Sequence, residues 1–169
     1  MMHALTVNTE TIREILEEVC DPEIPVLSVI DMGIIRQIKI HTHNNAIEIT
    51  ITPTYTGCPA MDVISMSIRM ALLQKGFKNI QIKTVLSPAW TTDWMSEAGK
   101  QKLKAYGIAP PHPTQTVCTQ EAFQKEEAVQ CPHCNSWNTN IISRFGSTAC
   151  KALYKCEDCK EPFDYFKCH

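Results

Sequence analysis

Two Cys-x2-Cys pairs, Cys131-Pro132-His133-Cys134 and Cys156-Glu157-Asp158-Cys159, lie twenty-one residues apart near the end of this chain. Two residues between cysteines let both thiolates converge on one ion while the backbone N–H groups of the turn face the sulfurs. Two such turns complete a tetrahedral S4 site. Cysteine is crowded here: of nine in 169 residues, six (131, 134, 150, 156, 159 and 168) fall in this stretch. A unit of residues 129–169 is too small to rest on a hydrophobic core alone, so the pattern predicts a zinc ribbon, a β domain stapled by a metal. Strands are expected over 138–145, 152–155 and 163–166. Asn135, after the first pair, suits the left-handed conformation such a turn needs; Lys160, after the second, is a poorer fit. Four thiolates also suit iron. Spacing therefore leaves two readings, a closed structural zinc site and an iron centre carrying electrons. Cys150, Cys168 and His169 lie outside the pairs and read as packing residues rather than a second site, and His133 reads as solvent-facing.

Compartment decides whether such cysteines oxidise. Met1 to Asn8 shows no basic stretch followed by a long apolar run, so a cytoplasmic, reducing setting is expected, in which paired cysteines serve as metal ligands. No run of about eighteen apolar residues predicts a membrane span. Charge excludes another class. Sixteen Lys and Arg face eighteen Asp and Glu, a net charge of -2, and from Glu121 onward six basic residues face seven acidic ones. A ribbon without positive excess gains little from counterion release, so protein contact is expected rather than nucleic acid.

The preceding residues carry a different pattern. Ile12, Ile15, Leu16 and Val19 recur at helical spacing, predicting a helix over Thr9–Cys20 that Asp21-Pro22-Glu23-Ile24-Pro25 stops. After the turn Asp31-Met32-Gly33, alternating Ile34 to His41 and Ala46 to Thr52 flank Asn44-Asn45 and predict a hairpin. Cys58-Pro59 opens an apolar helix to about Lys75, with Cys58 expected at its N-cap. A third strand (Ile80 to Leu86) and a helix after Thr91-Thr92, ending at Gly107, complete the series. That order predicts an α/β (α+β) domain over residues 1–108, a small mixed three-stranded sheet with helices. Residues 109–128 read as a Pro-rich linker, and 129–169 as the zinc ribbon.

Outside the ribbon, one cysteine has a chemically special setting. An N-cap places the Cys58 thiol near unpaired N–H groups that favour a thiolate, although a cysteine there can also serve as a cap in place of serine. Asp31 can equally be a turn residue. No phosphate loop, G-x-S-x-G or H-E-x-x-H motif is present, so catalysis has no support in the motifs.

The run Asp21-Pro22-Glu23-Ile24-Pro25-Val26-Leu27-Ser28-Val29-Ile30-Asp31-Met32-Gly33, followed by Thr54-Tyr55-Thr56-Gly57-Cys58-Pro59, resembles the MIP18 (DUF59) family, whose members assist iron–sulfur cluster assembly. Trp90-Thr91-Thr92-Asp93-Trp94-Met95 and the tail Phe145-Gly146-Ser147-Thr148-Ala149-Cys150 resemble, within it, the D-subunit family of phenylacetyl-CoA epoxidase. The resemblance implies an accessory, non-catalytic protein of a multicomponent monooxygenase in aerobic phenylacetate degradation, maturing or repairing the iron–sulfur centre of its reductase. A structural subunit or a rubredoxin-like iron carrier of the same complex are the alternatives. It implies epoxidase components as partners, above all the iron–sulfur flavin reductase, and leaves open pairing with a second copy. It also implies that Cys58 handles transient iron or an Fe–S cluster, with Asp31 lining the same site. Cys131, Cys134, Cys156 and Cys159 carry over as ligands of one structural zinc.

Overall fold

The computed structural model describes residues 8–44, 46–111 and 129–167. Most of the expected linker (112–128), with Cys118, lies outside them, as do Cys168 and His169. Two compact units form, one ending at Trp90 and the other beginning at Thr91.

In the first unit, helix α1 (Thr9–Glu17) is capped by Asn8, whose Oδ1 accepts the Thr11 N–H at 2.8 Å. The cap lies one residue before the expected Thr9. The helix also ends three residues before Cys20, because the chain turns back on itself: Val29 donates to the Val19 carbonyl at 2.9 Å, and Cys20 bridges to Ser28. Asp21 enforces that stop. Its Oδ1 accepts the N–H groups of both Glu23 and Ile24 at 2.8 Å, an Asx turn that competes with helical bonding.

Strands β1 (Ile35–His41) and β2 (Ala46–Ile51) pair antiparallel, with Ile38 opposite Ile49 and Ile40 opposite Ile47. Helix α2 (Ala60–Gln74) then carries the chain across to β3 (Asn79–Thr84), which joins β2 in parallel. A parallel neighbour requires such a crossover. The result is the expected mixed sheet, ordered β1-β2-β3. Ile47, Ile49 and Ile51 of the central strand are completely buried, as are Ile64, Ile68 and Leu72 on one face of α2. Beyond β3, the Trp90 indole N–H donates to the Met32 carbonyl at 2.9 Å and ties the end of the unit to the turn before β1.

The second unit starts with a departure from expectation. The single helix expected after Thr92 is a 3-10 turn (Thr92–Trp94) and a separate helix α3 (Glu97–Ala105). Ser96 causes the break: its backbone is extended and its Oγ accepts the Gly99 N–H at 2.9 Å, as an N-cap does. After Gly107, at φ 88°, a two-residue strand β4 (Ile108–Ala109) pairs in parallel with β7 (Pro162–Phe166). With β5 (Thr139–Ser143) and β6 (Lys151–Cys156) this makes a sheet ordered β4-β7-β6-β5. Pairing of Ile108 and Ala109 with Asp164 and Tyr165 groups α3 and β4 with the ribbon strands, whereas the sequence pattern places α3 and Ile108 in the first domain and Ala109 in the linker. Ala109, Val129, Tyr154, Phe163 and Tyr165 form a small core together with Cys131 and Cys156.

On β2, Glu48 is buried between Lys39 on β1 and Lys83 on β3. The Lys83 hydrogen bond, at 2.6 Å, is the main reason its carboxyl is held below the ordinary value of 4.5; burial opposes. A lowered folded-state value contributes stability that is present above the unfolded value and is lost as pH falls through the folded one. Glu48→Gln should therefore lower the melting temperature at pH 7, and the gap to wild type should close as thermal melts are repeated below pH 4.5.

Candidate metal centre and the Cys58 loop

Each cysteine pair sits in a turn closed by its own backbone. In the first, Asn135 N–H donates to the Cys131 carbonyl at 3.0 Å and Cys131 N–H to the Ser136 carbonyl at 2.8 Å; in the second, Cys156 N–H donates to the Glu161 carbonyl at 3.0 Å. The residue after each pair is left-handed, Asn135 at φ 61° and Lys160 at φ 67°. Lys160 thus adopts the conformation for which its sequence suits it poorly, at a cost of roughly 1–2 kcal/mol. Asp158 links the two turns. Its Oδ2 accepts the Ser136 hydroxyl and its Oδ1 the Asn138 amide at 2.9 Å, and these two bonds, Ser136 first, hold its carboxyl below the usual range. The Glu157 N–H adds a bond to the Asn138 carbonyl at 2.8 Å.

The four sulfurs converge as the spacing requires. Cys131 Sγ lies 3.7 Å from Cys159 Sγ and Cys134 Sγ 3.5 Å from Cys156 Sγ, and all four lie within 4.8 Å of one another. A tetrahedron of sulfurs with metal–sulfur bonds of about 2.3 Å has edges of roughly 3.8 Å, so the donors fit one ion of that kind. The N–H of Cys159, followed by that of Asp158, points at Cys156 and pulls its thiol down to about 7. Cys134 and Cys159 go the other way, Cys159 up to about 12: the Ser136 and Glu161 N–H groups that face them are outweighed by burial and the neighbouring cysteines, so a metal must displace those protons to bind. Among the described residues these four cysteines are the only group of three or more His, Cys, Asp or Glu placed to hold one ion. Cys150 is buried, with the Thr148 Oγ1 at 3.1 Å from its sulfur, and His133 is exposed, both as read from sequence.

Cys58 differs from its expected setting. The N-cap of α2 is Pro59, at φ -69° and ψ -21°, and Cys58 belongs to the preceding turn, its N–H donating to the Tyr55 carbonyl at 3.3 Å. The Ala60 N–H still faces the sulfur, as the N-cap argument requires, and so does the Tyr55 side chain. Burial nevertheless outweighs both and pushes the half-buried thiol up, with Glu23 and Asp21 acting in the same direction. The thiol is therefore protonated at neutral pH rather than an activated thiolate. Those two carboxylates and Tyr55 act on the thiol without belonging to any motif in the sequence, where Asp21 and Glu23 are legible only as a helix stop. Asp31 is buried, and its carboxylate is engaged locally: Oδ2 accepts the Ser28 hydroxyl at 3.0 Å while the Asp31 N–H donates to Ser28 Oγ at 3.0 Å. Asp31 and Cys58 belong to no group of three clustered ligands among the described residues.

This geometry sets two expected outcomes. Replacing Cys131 and Cys134 with Ser should release β5, β6 and β7 to full hydrogen exchange, since metal binding worth about 10–16 kcal/mol is most of such a unit's folding energy, while β1–β3 keep their protection. Alkylation of Cys58, followed by peptide mass spectrometry, should be slow at pH 7 and rise above pH 9. Glu23→Gln should shift the profile to lower pH by removing one charge that raises the thiol.

Comparison with known proteins follows the same division of the chain. Residues 9–83 match the family described as Iron-sulfur cluster assembly protein, and residues 115–167 match the PaaD zinc beta ribbon domain. A crystal structure of a DUF59 domain from Bacillus anthracis covers 56% of this chain and 89% of its own at a TM-score of 0.52, with 27% identity. An "Fe-S protein maturation auxiliary factor" of Porphyromonas gingivalis is 37% identical over 56% of this chain and 89% of its own. An Escherichia coli (strain K12) protein, described as the D-subunit of a "Putative 1,2-phenylacetyl-CoA epoxidase", is 43% identical over 99% of both chains. Its match runs through both the cluster-assembly region and the four-cysteine ribbon, and on that basis the chain belongs to the D-subunit family of phenylacetyl-CoA epoxidase.

Proposed function

We propose that this chain is an accessory protein of a phenylacetyl-CoA epoxidase system that matures or repairs the iron–sulfur centre of the system's reductase. Its relatives' names support the coarser part of this reading, an accessory role in iron–sulfur assembly tied to that epoxidase. The observation that carries the chemistry is the Cys58 environment: a half-buried thiol facing the Ala60 N–H and the Tyr55 side chain, with carboxylates from Asp21 and Glu23 close enough to act on it. A thiolate is the ligand type that iron–sulfur centres use. A thiol held protonated by burial stays unreactive until a cation displaces its proton. In this reading Cys58 receives iron or a cluster, and Asp31 lines the same site by holding the 28–31 turn through Ser28.

The four-cysteine ribbon takes no part in transfer. Its two turns are closed and cross-linked, Cys131 and Cys156 are fully buried, and one structural zinc accounts for all four sulfurs. The relative's description as a subunit favours a second reading, a structural component of the epoxidase.

Cells that produce only a Cys58→Ser form should yield reductase short of iron and acid-labile sulfide, although the variant folds and keeps its tail metal. Fully loaded reductase from those cells would remove Cys58 from the mechanism. Stoichiometric copurification with the oxygenase, together with a fully loaded reductase, would establish the structural reading instead.

A further inference from the structure

The loop between β5 and β6, residues 144–150, lies at the end of the ribbon opposite the sulfurs. Strand β6 runs from Lys151 at the loop to Cys156 in the second turn, and six strand residues span roughly 17 Å. Its neighbours follow the same length: Thr139 pairs with Cys156 at one end and Phe166 with Lys151 at the other.

This loop is fastened from several sides. Ser143 Oγ accepts the Phe145 N–H at 3.2 Å and donates to the Phe145 carbonyl at 2.7 Å, so one hydroxyl holds both backbone groups of that residue. The Gly146 N–H donates to the Lys151 carbonyl at 2.7 Å, and the Lys151 N–H to the Thr148 carbonyl at 3.2 Å. Gly146 approaches the strands so closely that a Cβ there would stand 3.0 Å from Asp164 Oδ1 and 3.2 Å from Lys151 Cβ. Beyond β7, buried Lys167 donates through Nζ to the Arg144 carbonyl, and its ammonium lies 4.3 Å from the centre of the Phe145 ring.

These bonds fix a large aromatic ring in water. Phe145 is 66% exposed, so the Lys167 contact leaves most of the ring uncovered, and the adjacent Arg144 is exposed as well. An aromatic ring beside an arginine is the composition of a binding hot spot. A backbone already ordered loses little further entropy when a partner arrives.

Charge selects the partner. Within the ribbon, Arg144, Lys151 and Lys167 lie at the loop end with Asp164, which Lys151 binds at 3.5 Å. Lys155 and Lys160 lie at the sulfur end with Glu157, Asp158 and Glu161. The loop end therefore carries the positive balance among the described residues, and it complements a negative surface. Three cations give too little counterion release to hold a nucleic acid, and one ring is too small an anchor for a membrane.

We propose that this loop tip is a docking surface for a protein that presents an apolar pocket rimmed by carboxylates: Phe145 enters the pocket and Arg144 pairs with its rim. The partner's identity rests on the maturation reading, in which it is the reductase.

Calorimetric titration of the zinc-loaded full chain into purified reductase tests this. Wild type should bind, and less tightly as salt is raised. Phe145→Ala should weaken binding by about tenfold or more. Arg144→Glu should do the same and remove most of the salt dependence. Lys167 bonds the Arg144 carbonyl rather than its side chain, so this second variant keeps the loop's ties and decides the matter if Phe145→Ala loses zinc. Wild type that fails to bind the reductase overturns the proposal, as does binding that Arg144→Glu retains in full. Phe145-dependent binding to phosphatidylserine vesicles in place of the reductase also overturns it. None of these outcomes measures cluster content, so the maturation reading keeps its separate test, the iron and sulfide of reductase from Cys58→Ser cells.

Discussion

The second unit depends on four sulfurs held within 4.8 Å of one another. Its core of small and aromatic residues includes two of those cysteines, so metal binding and packing are the same event there. The left-handed Lys160 shows what the site demands. A conformation that costs a lysine roughly 1–2 kcal/mol is retained because the second turn cannot otherwise bring Cys156 and Cys159 to one ion. Asp158 extends the constraint by fastening the first turn to the second through Ser136 and Asn138.

The first unit follows a different logic. Its sheet and helices bury a continuous set of isoleucines and leucines and form no metal cluster among the described residues. That leaves Cys58 without structural duty to an ion. Its loop precedes a well-packed helix, and the charges of Glu23 and Asp21 add to burial in raising the half-buried thiol. Burial keeps that thiol protonated, which makes it a poor target for oxidation.

Much of this was legible in the sequence because it rests on periodicity and spacing. Alternating isoleucines defined β1 and β2, and the x2 spacing defined the sulfur site. The failures share a cause: local chemistry overrode the pattern. Asp21 accepted two amide bonds and Cys20 paired with Ser28, so α1 ended early; Ser96 capped a new helix where one continuous helix was expected. Ile108 and Ala109 gave no strand signal because a two-residue strand has no period, and only its distant partner β7 reveals it. Cys58 lies one residue before the N-cap that its sequence position suggests, and the burial and Glu23 charge that set its protonation arise from tertiary packing, which has no local sequence signal.

In the proposed function, the closed four-cysteine site and Cys58 divide the work between them. Metal and sulfide analysis with an optical spectrum, on anaerobically purified wild-type and Cys58→Ser protein, tests it most directly. One zinc per chain is expected in both proteins, without visible absorption from the ribbon, and any iron or sulfide confined to wild type. One iron per chain with a thiolate-to-iron absorption band, retained in Cys58→Ser and lost when Cys131 is replaced, would contradict it.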